Sequence, residues 1–132
     1  MERTRTFPAD SSRLADVRRF VADCARGGPF EPVLDDLLIA VSEASANAVL
    51  HSGTAEFRVT WRSEPDSVEM TVEDDGVYRG GVSLPEIDRT GHRGIHLMAA
   101  TMNEVALVRG TRGRPGTTVR LVKSLPSRAE SA

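Results

Sequence analysis

Residues Leu37–His51 read LLIAVSEASANAVLH, and their spacing predicts one amphipathic helix. Glu43, Asn47 and His51 recur every four residues, and on a helix such side chains lie one above another with Cβ atoms about 5–6 Å apart. Most of the other positions are apolar or small. We therefore expect this helix to pack on a core while it carries a carboxylate, an amide and an imidazole along one line.

This polar line has two interpretations. An exposed polar stripe on an ordinary amphipathic helix has the same pattern. Alternatively the line faces a ligand: the oxygen of Asn47 suits Mg²⁺, which is usually held by few protein ligands plus phosphate oxygens. Glu43, one turn earlier, would then accept a proton from an attacking hydroxyl or water. His51 fits either interpretation, because the helix dipole favours a histidine near a helix C-terminus whether or not a ligand is present. The sequence of this helix alone therefore does not distinguish the two interpretations.

Composition sets the broad class of the protein. The 132 residues are 27% charged and 39% hydrophobic, which fits one globular domain with its own core. A formal net charge of -2 and a pI of about 5.9 give no basic field for nucleic acid. Cys24 is the only cysteine, so an internal disulfide is excluded, and its position predicts a small buried hydrophobe. No run suits a signal peptide or a membrane span, so we expect a cytoplasmic protein without a membrane partner.

Periodicity and turn residues give the order of the elements. The predicted elements are an edge strand at Glu2–Phe7, a helix capped by Ser11 or Ser12 and carrying Leu14–Cys24, the helix that ends at His51, strands at Ala55–Arg62 and Val68–Asp74, a helix at Gly94–Met102, and strands at Val105–Arg109 and Thr117–Val122. This order predicts an α+β two-layer sandwich, with about three helices on one face of a mixed, mostly antiparallel sheet. We expect a single domain over residues 1–123 and a flexible tail over residues 124–132.

Three further motifs lie at the ends of predicted elements. Asp74-Asp75-Gly76 is either a solvated turn or a site where Asp74 accepts from an exocyclic amine and Gly76 lets a planar base approach. Gly91-His92-Arg93-Gly94 precedes a helix, whose free amides attract phosphate, and Arg93 would add charge. Gly116-Thr117-Thr118 leads into the last strand, where threonines are common strand formers.

The order and spacing of these motifs carry a family resemblance. E-x-x-x-N-A-x-x-H from Glu43, D-x-G from Asp74, a long glycine-bearing loop, G-x-x-G at a helix start and G-T-T-V from Gly116 resemble the GHKL ATP-binding family. The small single-domain members that act as anti-sigma-factor serine kinases are most similar in length and layout. The resemblance covers about Ser11 to Lys123 and implies a Bergerat-type fold.

The resemblance also implies a role for each matching residue. On the helix Leu37–His51 it makes Glu43 the general base, Asn47 the Mg²⁺ ligand and Ala48 part of the lining of the adenine pocket. Asp74 would accept a hydrogen bond from the adenine amine, with Gly76 beside it, and Thr118 would also contact adenine. Gly94 and Arg93 would lie at the triphosphate, and Val77–His92 would form the ATP lid. The implied cofactors are ATP and Mg²⁺. The implied partners are a sigma factor, an anti-sigma-factor antagonist phosphorylated on serine, and a second copy of the chain.

Two alternatives remain beside this kinase. Tyr78 and His92 stand where the family usually has glycines, which favours a degenerate module that sequesters its partner with weak or no ATP turnover. The second alternative is the catalytic module of a sensor histidine kinase. It is disfavoured at this point because no pair of dimerising phosphoacceptor helices is recognisable in the sequence.

Overall fold

The helices and strands follow the predicted order. The computed structural model describes residues 1–51, 55–75, 92–111 and 114–125. Its elements are β1 (Glu2–Pro8), α1 (Leu14–Ala25), α2 (Leu34–His51), β2 (Glu56–Ser63), β3 (Ser67–Asp74), α3 (His92–Thr101), β4 (Glu104–Thr111) and β5 (Arg114–Ser124), with 3-10 turns at Ser11–Arg13 and Glu31–Val33. The predicted α+β class is confirmed.

The strands form one five-stranded sheet in the order β1-β2-β3-β5-β4. Every pairing among the described strands is antiparallel. Short connections join β2 to β3 and β4 to β5, whereas β1 pairs with β2 and β3 with β5 across longer parts of the chain. The prediction that residues 2–7 form an edge strand is confirmed, and β4 is the opposite edge. In the register, Asp74 at the end of β3 lies between Phe57 of β2 and Thr117 of β5.

One face of the sheet carries the core. Along β3, buried Val68, Met70 and Val72 alternate with half-buried polar residues, so a single face of the strand is apolar. Helix α2 packs on β2, β3 and β5 and lies between α1 and α3, which places the helices over that apolar face. Cys24 is buried in this core, and burial raises the pKa of its thiol, so the prediction of a small buried hydrophobe is confirmed.

The start of the first helix differs from the sequence-based prediction. Asp10, not Ser11 or Ser12, is the capping residue: its carboxylate accepts a hydrogen bond from the backbone N–H of Ser12 at 2.9 Å and so caps the 3-10 turn Ser11–Arg13 that leads into α1. Arg13, which directly precedes α1, makes no side-chain capping bond. The hydrogen bond from Ser12 lowers the pKa of Asp10. Asp and Ser are both good caps, so composition did not distinguish the two positions.

Several element boundaries also differ. Strand β4 is longer than predicted at both ends, and β5 begins at Arg114, three residues before the predicted start. Helix α3 begins at His92, two residues before the predicted start. Strand β5 continues to Ser124, one residue into the predicted tail, and Leu125 then donates its N–H to the carbonyl of Asp66 at 2.8 Å. The turn predicted at Ser52–Gly53 and residues 126–132 lie outside the described part of the chain.

A lysine joins three elements at one end of the molecule. The Nζ of Lys123 donates to Asp36 Oδ2 at 3.0 Å and to the carbonyl oxygen of Thr101 at 2.6 Å. These contacts connect β5, the start of α2 and the last residue of α3. Only 17% of the Lys123 side chain is exposed, so its charge is largely removed from bulk water and depends on these acceptors.

We expect Lys123→Met to lower the free energy of unfolding by about 1–3 kcal/mol, because a charged hydrogen-bond donor is lost while its acceptors remain partly buried. The control is Arg26→Gln, which breaks an exposed ion pair with Asp23 and should change stability by less than about 0.5 kcal/mol. Urea denaturation of both variants measures the difference. Equal losses would show that the Lys123 contacts are no stronger than a surface pair.

Candidate functional site

The polar line of α2 faces α3. Asp36, Glu43 and Asn47 are separated by seven and four residues, so they lie along one stripe of the helix. Asp36 is fixed by Lys123, which also holds the last residue of α3, Thr101. The stripe therefore points to the side on which α3 packs. Glu43 and Asn47 are both half-buried on this flank rather than exposed on the solvent face.

Helix α3 brings its N-terminus towards Asn47. Its last residue is fixed beside Asp36, and the helix packs along α2. Ten residues of helix span about 15 Å, and the eleven-residue step from Asp36 to Asn47 spans about 16 Å. We infer that the first turn of α3, which contains Arg93 and Gly94, lies level with Asn47. Free N–H groups and the positive end of the helix dipole are concentrated in that turn.

Of two consecutive aspartates at the end of β3, one faces the helices. Asp74 continues the buried alternation of Met70 and Val72 and is only 7% exposed. Asp75 is exposed, and both its oxygens accept from the guanidinium of Arg58, at 3.1 and 3.2 Å. This contact lowers the pKa of Asp75. Asp74 therefore presents its carboxylate between the two layers, whereas Asp75 anchors the strand end from outside.

Gly116 lets β5 approach the backbone of Asp74. Its φ of +136° lies in a region that favours glycine. A Cβ added at this position would lie 2.7 Å from the carbonyl oxygen of Asp74, a separation that real contacts do not show. The position therefore requires glycine for both its conformation and its contact.

The two threonines after Gly116 lie on opposite faces of the sheet. Thr117 pairs with Asp74, and its face continues to the buried residues Val119 and Leu121. Thr118 pairs with Glu73 instead. The register therefore brings Thr117 to the face of Asp74 and places Thr118 on the face turned away from the helices. The sequence signal that distinguishes Thr117 from Thr118 is the two-residue period of the strand, which puts Thr117 on the same face as Val119 and Leu121.

The side chains gathered between α2, α3 and the sheet end fit a nucleotide with Mg²⁺. Asp74 is a hydrogen-bond acceptor, Thr117 offers a hydroxyl, and Ala48 is small and nearly buried. Asn47 offers one oxygen, which agrees with the habit of Mg²⁺ to bind one or two protein groups together with substrate phosphates.

The structure describes several predicted site residues only in part or not at all. Gly76, Tyr78 and the lid residues 77–91 lie outside the described residues. His51, His92, Arg93 and Gly94 are placed only as parts of their helices. Their proposed ligand contacts therefore remain sequence-based predictions.

The sequence of residues 7–123 matches the family model described as the histidine kinase-like ATPase domain. The match spans most of the chain, and the protein therefore belongs to this family of ATPase domains. Membership in an ATPase family implies ATP binding. No curated protein matches the sequence.

Two solved structures share the fold. The histidine kinase domain of the blue-light-activated histidine kinase from Erythrobacter litoralis EL346 is 21% identical with a TM-score of 0.57, covering 90% of this chain and 62% of that one. The histidine kinase AdeS from Acinetobacter baumannii is 11% identical with a TM-score of 0.51, covering 95% of this chain and 68% of that one. The chain thus spans less than two thirds of the first structure. None of the described helices is long and apolar enough to cross a lipid bilayer.

We expect Gly116→Ala to lower the free energy of unfolding by about 1–3 kcal/mol and to weaken ATP binding, because the new methyl group displaces the strand end that carries Asp74. Gly28→Ala is the matched control, since its Cβ would meet only the carbonyl of Ala25 at an ordinary 3.5 Å. Thermal unfolding and calorimetric titration with ATP measure both effects. Unchanged ATP affinity in a folded Gly116→Ala variant would separate this strand end from the nucleotide.

The two threonines provide a second test. We expect Thr117→Val to weaken ATP binding about tenfold, the loss typical of one hydrogen bond to a buried polar group. Thr118→Val keeps the same shape on the opposite face and should stay within about twofold of the unaltered protein. Both affinities are measured by calorimetry with ATP and Mg²⁺. A larger loss at Thr118 would contradict the register given above.

Proposed function

We propose that this protein is a cytoplasmic anti-sigma regulatory kinase that binds ATP with Mg²⁺, sequesters a sigma factor and phosphorylates a serine of the anti-sigma-factor antagonist. The observation that carries the proposal is the position of Glu43 and Asn47, half-buried on the flank of α2 that faces α3. Asp74 lies buried at the end of β3 within the same layered ATPase domain. The resemblance in length and layout to small serine kinases supports the subtype.

Each side chain has a defined task in this reaction. Asp74 accepts a hydrogen bond from the adenine amine. Thr117, which pairs with Asp74, takes the place that the family resemblance implied for Thr118. The first turn of α3, with Arg93 and Gly94, attracts the triphosphate. Asn47 would hold Mg²⁺, which when bound neutralises charge on the phosphates.

Glu43 accepts the proton of the serine hydroxyl as the transfer proceeds. A new bond forms between the serine oxygen and the γ-phosphorus, the bond from that phosphorus to the ADP oxygen breaks, and ADP leaves with the electron pair. Phosphoryl transfer depends mainly on positioning and electrostatic stabilisation, so a half-buried carboxylate on a rigid helix suits this task.

Substitutions on α2 distinguish proton acceptance by Glu43 from Mg²⁺ binding by Asn47. We expect Glu43→Gln to keep ATP affinity within about threefold and to slow transfer to the serine acceptor by at least about a hundredfold. Asn47→Ala should weaken Mg²⁺-dependent ATP binding by at least about tenfold, because one metal ligand is lost. Transfer is followed with ATP labelled at the γ-phosphate, and binding by calorimetry.

The control is Asp35→Asn, which removes an exposed carboxylate from the first turn of the same helix. It should leave both binding and transfer unchanged. Full transfer by Glu43→Gln would place the base elsewhere. Unaltered Mg²⁺-dependent binding by Asn47→Ala would remove Asn47 from the metal site.

A partner-binding module without turnover is the second candidate, and the sequence observation that favours it is Tyr78 and His92 in place of glycines. Calorimetry distinguishes the two functions. Heat of binding and a thermal shift with ATP and Mg²⁺ support the kinase, whereas neither signal would support the module.

Partner binding needs its own measurements. The resemblance supports a homodimer and a complex with a sigma factor. Sedimentation of the purified chain determines the first, and titration with purified sigma factors of the host determines the second.

A further inference from the structure

Helix α2 has an unusual outward surface. On α1 the exposed positions are mainly charged, including Arg18, Arg19 and Asp23, as expected for a helix that covers a core. On α2 the large side chains Ile39 and Leu50 are 39% and 73% exposed. The helix has no lysine or arginine among its 18 residues. The contrast with α1 shows that this surface is not simply the solvated side of an amphipathic helix.

The two exposed apolar side chains form one line with the proposed base and with the half-buried Ala46. Ile39, Glu43, Ala46 and Leu50 are separated by four, three and four residues, so they occupy one stripe of α2, which we name the outer stripe. It spans about 16 Å. Glu43 belongs both to the outer stripe and to the stripe that faces α3, so it stands at the border between the nucleotide side and the solvent side.

We propose that the outer stripe is the docking surface for the polypeptide whose serine accepts the phosphoryl group. The proposal rests on the proposed function. Direct transfer requires the serine hydroxyl to come within about 2.6–3.2 Å of the Glu43 carboxylate. A segment that reaches Glu43 from the solvent side covers the turn before it and the turn after it. The turn before it carries Ile39, the turn after it carries Ala46, and Leu50 follows one further turn along the stripe.

The surface defines the chemistry of its occupant. Aliphatic side chains on both sides of the serine would bury Ile39 and Leu50, and the small Ala46 allows close approach of the backbone. Glu43 is the only charged member of the outer stripe, so a carboxylate next to the serine would be repelled. The expected occupant is a serine flanked by aliphatic residues, without neighbouring carboxylates.

The test uses the acceptor itself. The full chain and ATP labelled at the γ-phosphate first mark the acceptor among the host proteins, and that labelled protein is then purified. Transfer to it is compared for Ile39→Gln, Leu50→Gln and the unaltered chain. The control is Val108→Gln, which replaces a side chain that is 58% exposed on the edge strand β4. ATP affinity is measured for every variant.

We expect Ile39→Gln and Leu50→Gln each to raise the KM for the acceptor about tenfold, because burial of one aliphatic side chain contributes roughly that factor in affinity. The kcat and ATP affinity should not change, which is the signature of lost docking energy. Val108→Gln should match the unaltered chain. Sedimentation of Leu50→Gln should give the same oligomeric state.

Three results would overturn the proposal. An unchanged KM for the acceptor, in variants that bind ATP and in a reaction that requires Glu43, would reject the docking surface while the kinase function stands. A change of oligomeric state in Leu50→Gln would assign the stripe to a second copy of the chain. If no host protein is labelled and ATP does not bind, the proposed kinase function fails and the docking surface fails with it.

Discussion

The structure depends on the burial of α2 between two helices and the sheet. Leu37, Val41, Ala44 and Ala48 form the inner line of this helix, and all four belong to the hydrophobic core. The small side chains at 44 and 48 let the second half of the helix lie close to the sheet. Because this inner line fixes the rotation of α2, it also fixes the directions of every other stripe. Glu43 and Asn47 consequently fall on the flank towards α3 without any contact of their own being needed to hold them there.

A second constraint acts at the edge of the core where β3 ends. Arg58 binds Asp75 from the outer side, and Gly116 presses against the carbonyl of Asp74 from the neighbouring strand. Both contacts fix the backbone around a carboxylate that is itself nearly buried. A buried carboxylate has a high desolvation cost and therefore depends on neighbouring groups that stabilise its charge; the proposed adenine contact would add one hydrogen-bond donor to them.

The sequence predicts those parts of the fold that depend on local periodicity. The alternation in β2 and β3, the helical spacing of α1 and α2 and the order of the elements all follow from residues close together in the chain. The bridge from Lys123 to Asp36 joins residues 87 positions apart, and no local pattern encodes it. The faces of Thr117 and Thr118 depend on the pairing of β5 with β3, so the motif G-T-T-V gives the threonines but not their directions. The roles proposed for Glu43 and Asn47 depend on the family resemblance, since the pattern alone also fits a solvated stripe.

The two ends of α2 illustrate how stability and function are separated along one helix. Its first turns are fixed by Lys123, which satisfies Asp36 and the end of α3 together. Further along, the helix carries the half-buried Glu43 and Asn47 towards α3, and among the described side chains the hydroxyls of Ser42 and Ser45, on the opposite flank, have no hydrogen-bond partner. These unsatisfied hydroxyls lower stability, and they do not themselves face the proposed nucleotide site. The anchored end can therefore hold the helix in place while the other end keeps the polar and apolar surface that a nucleotide and an acceptor protein would cover.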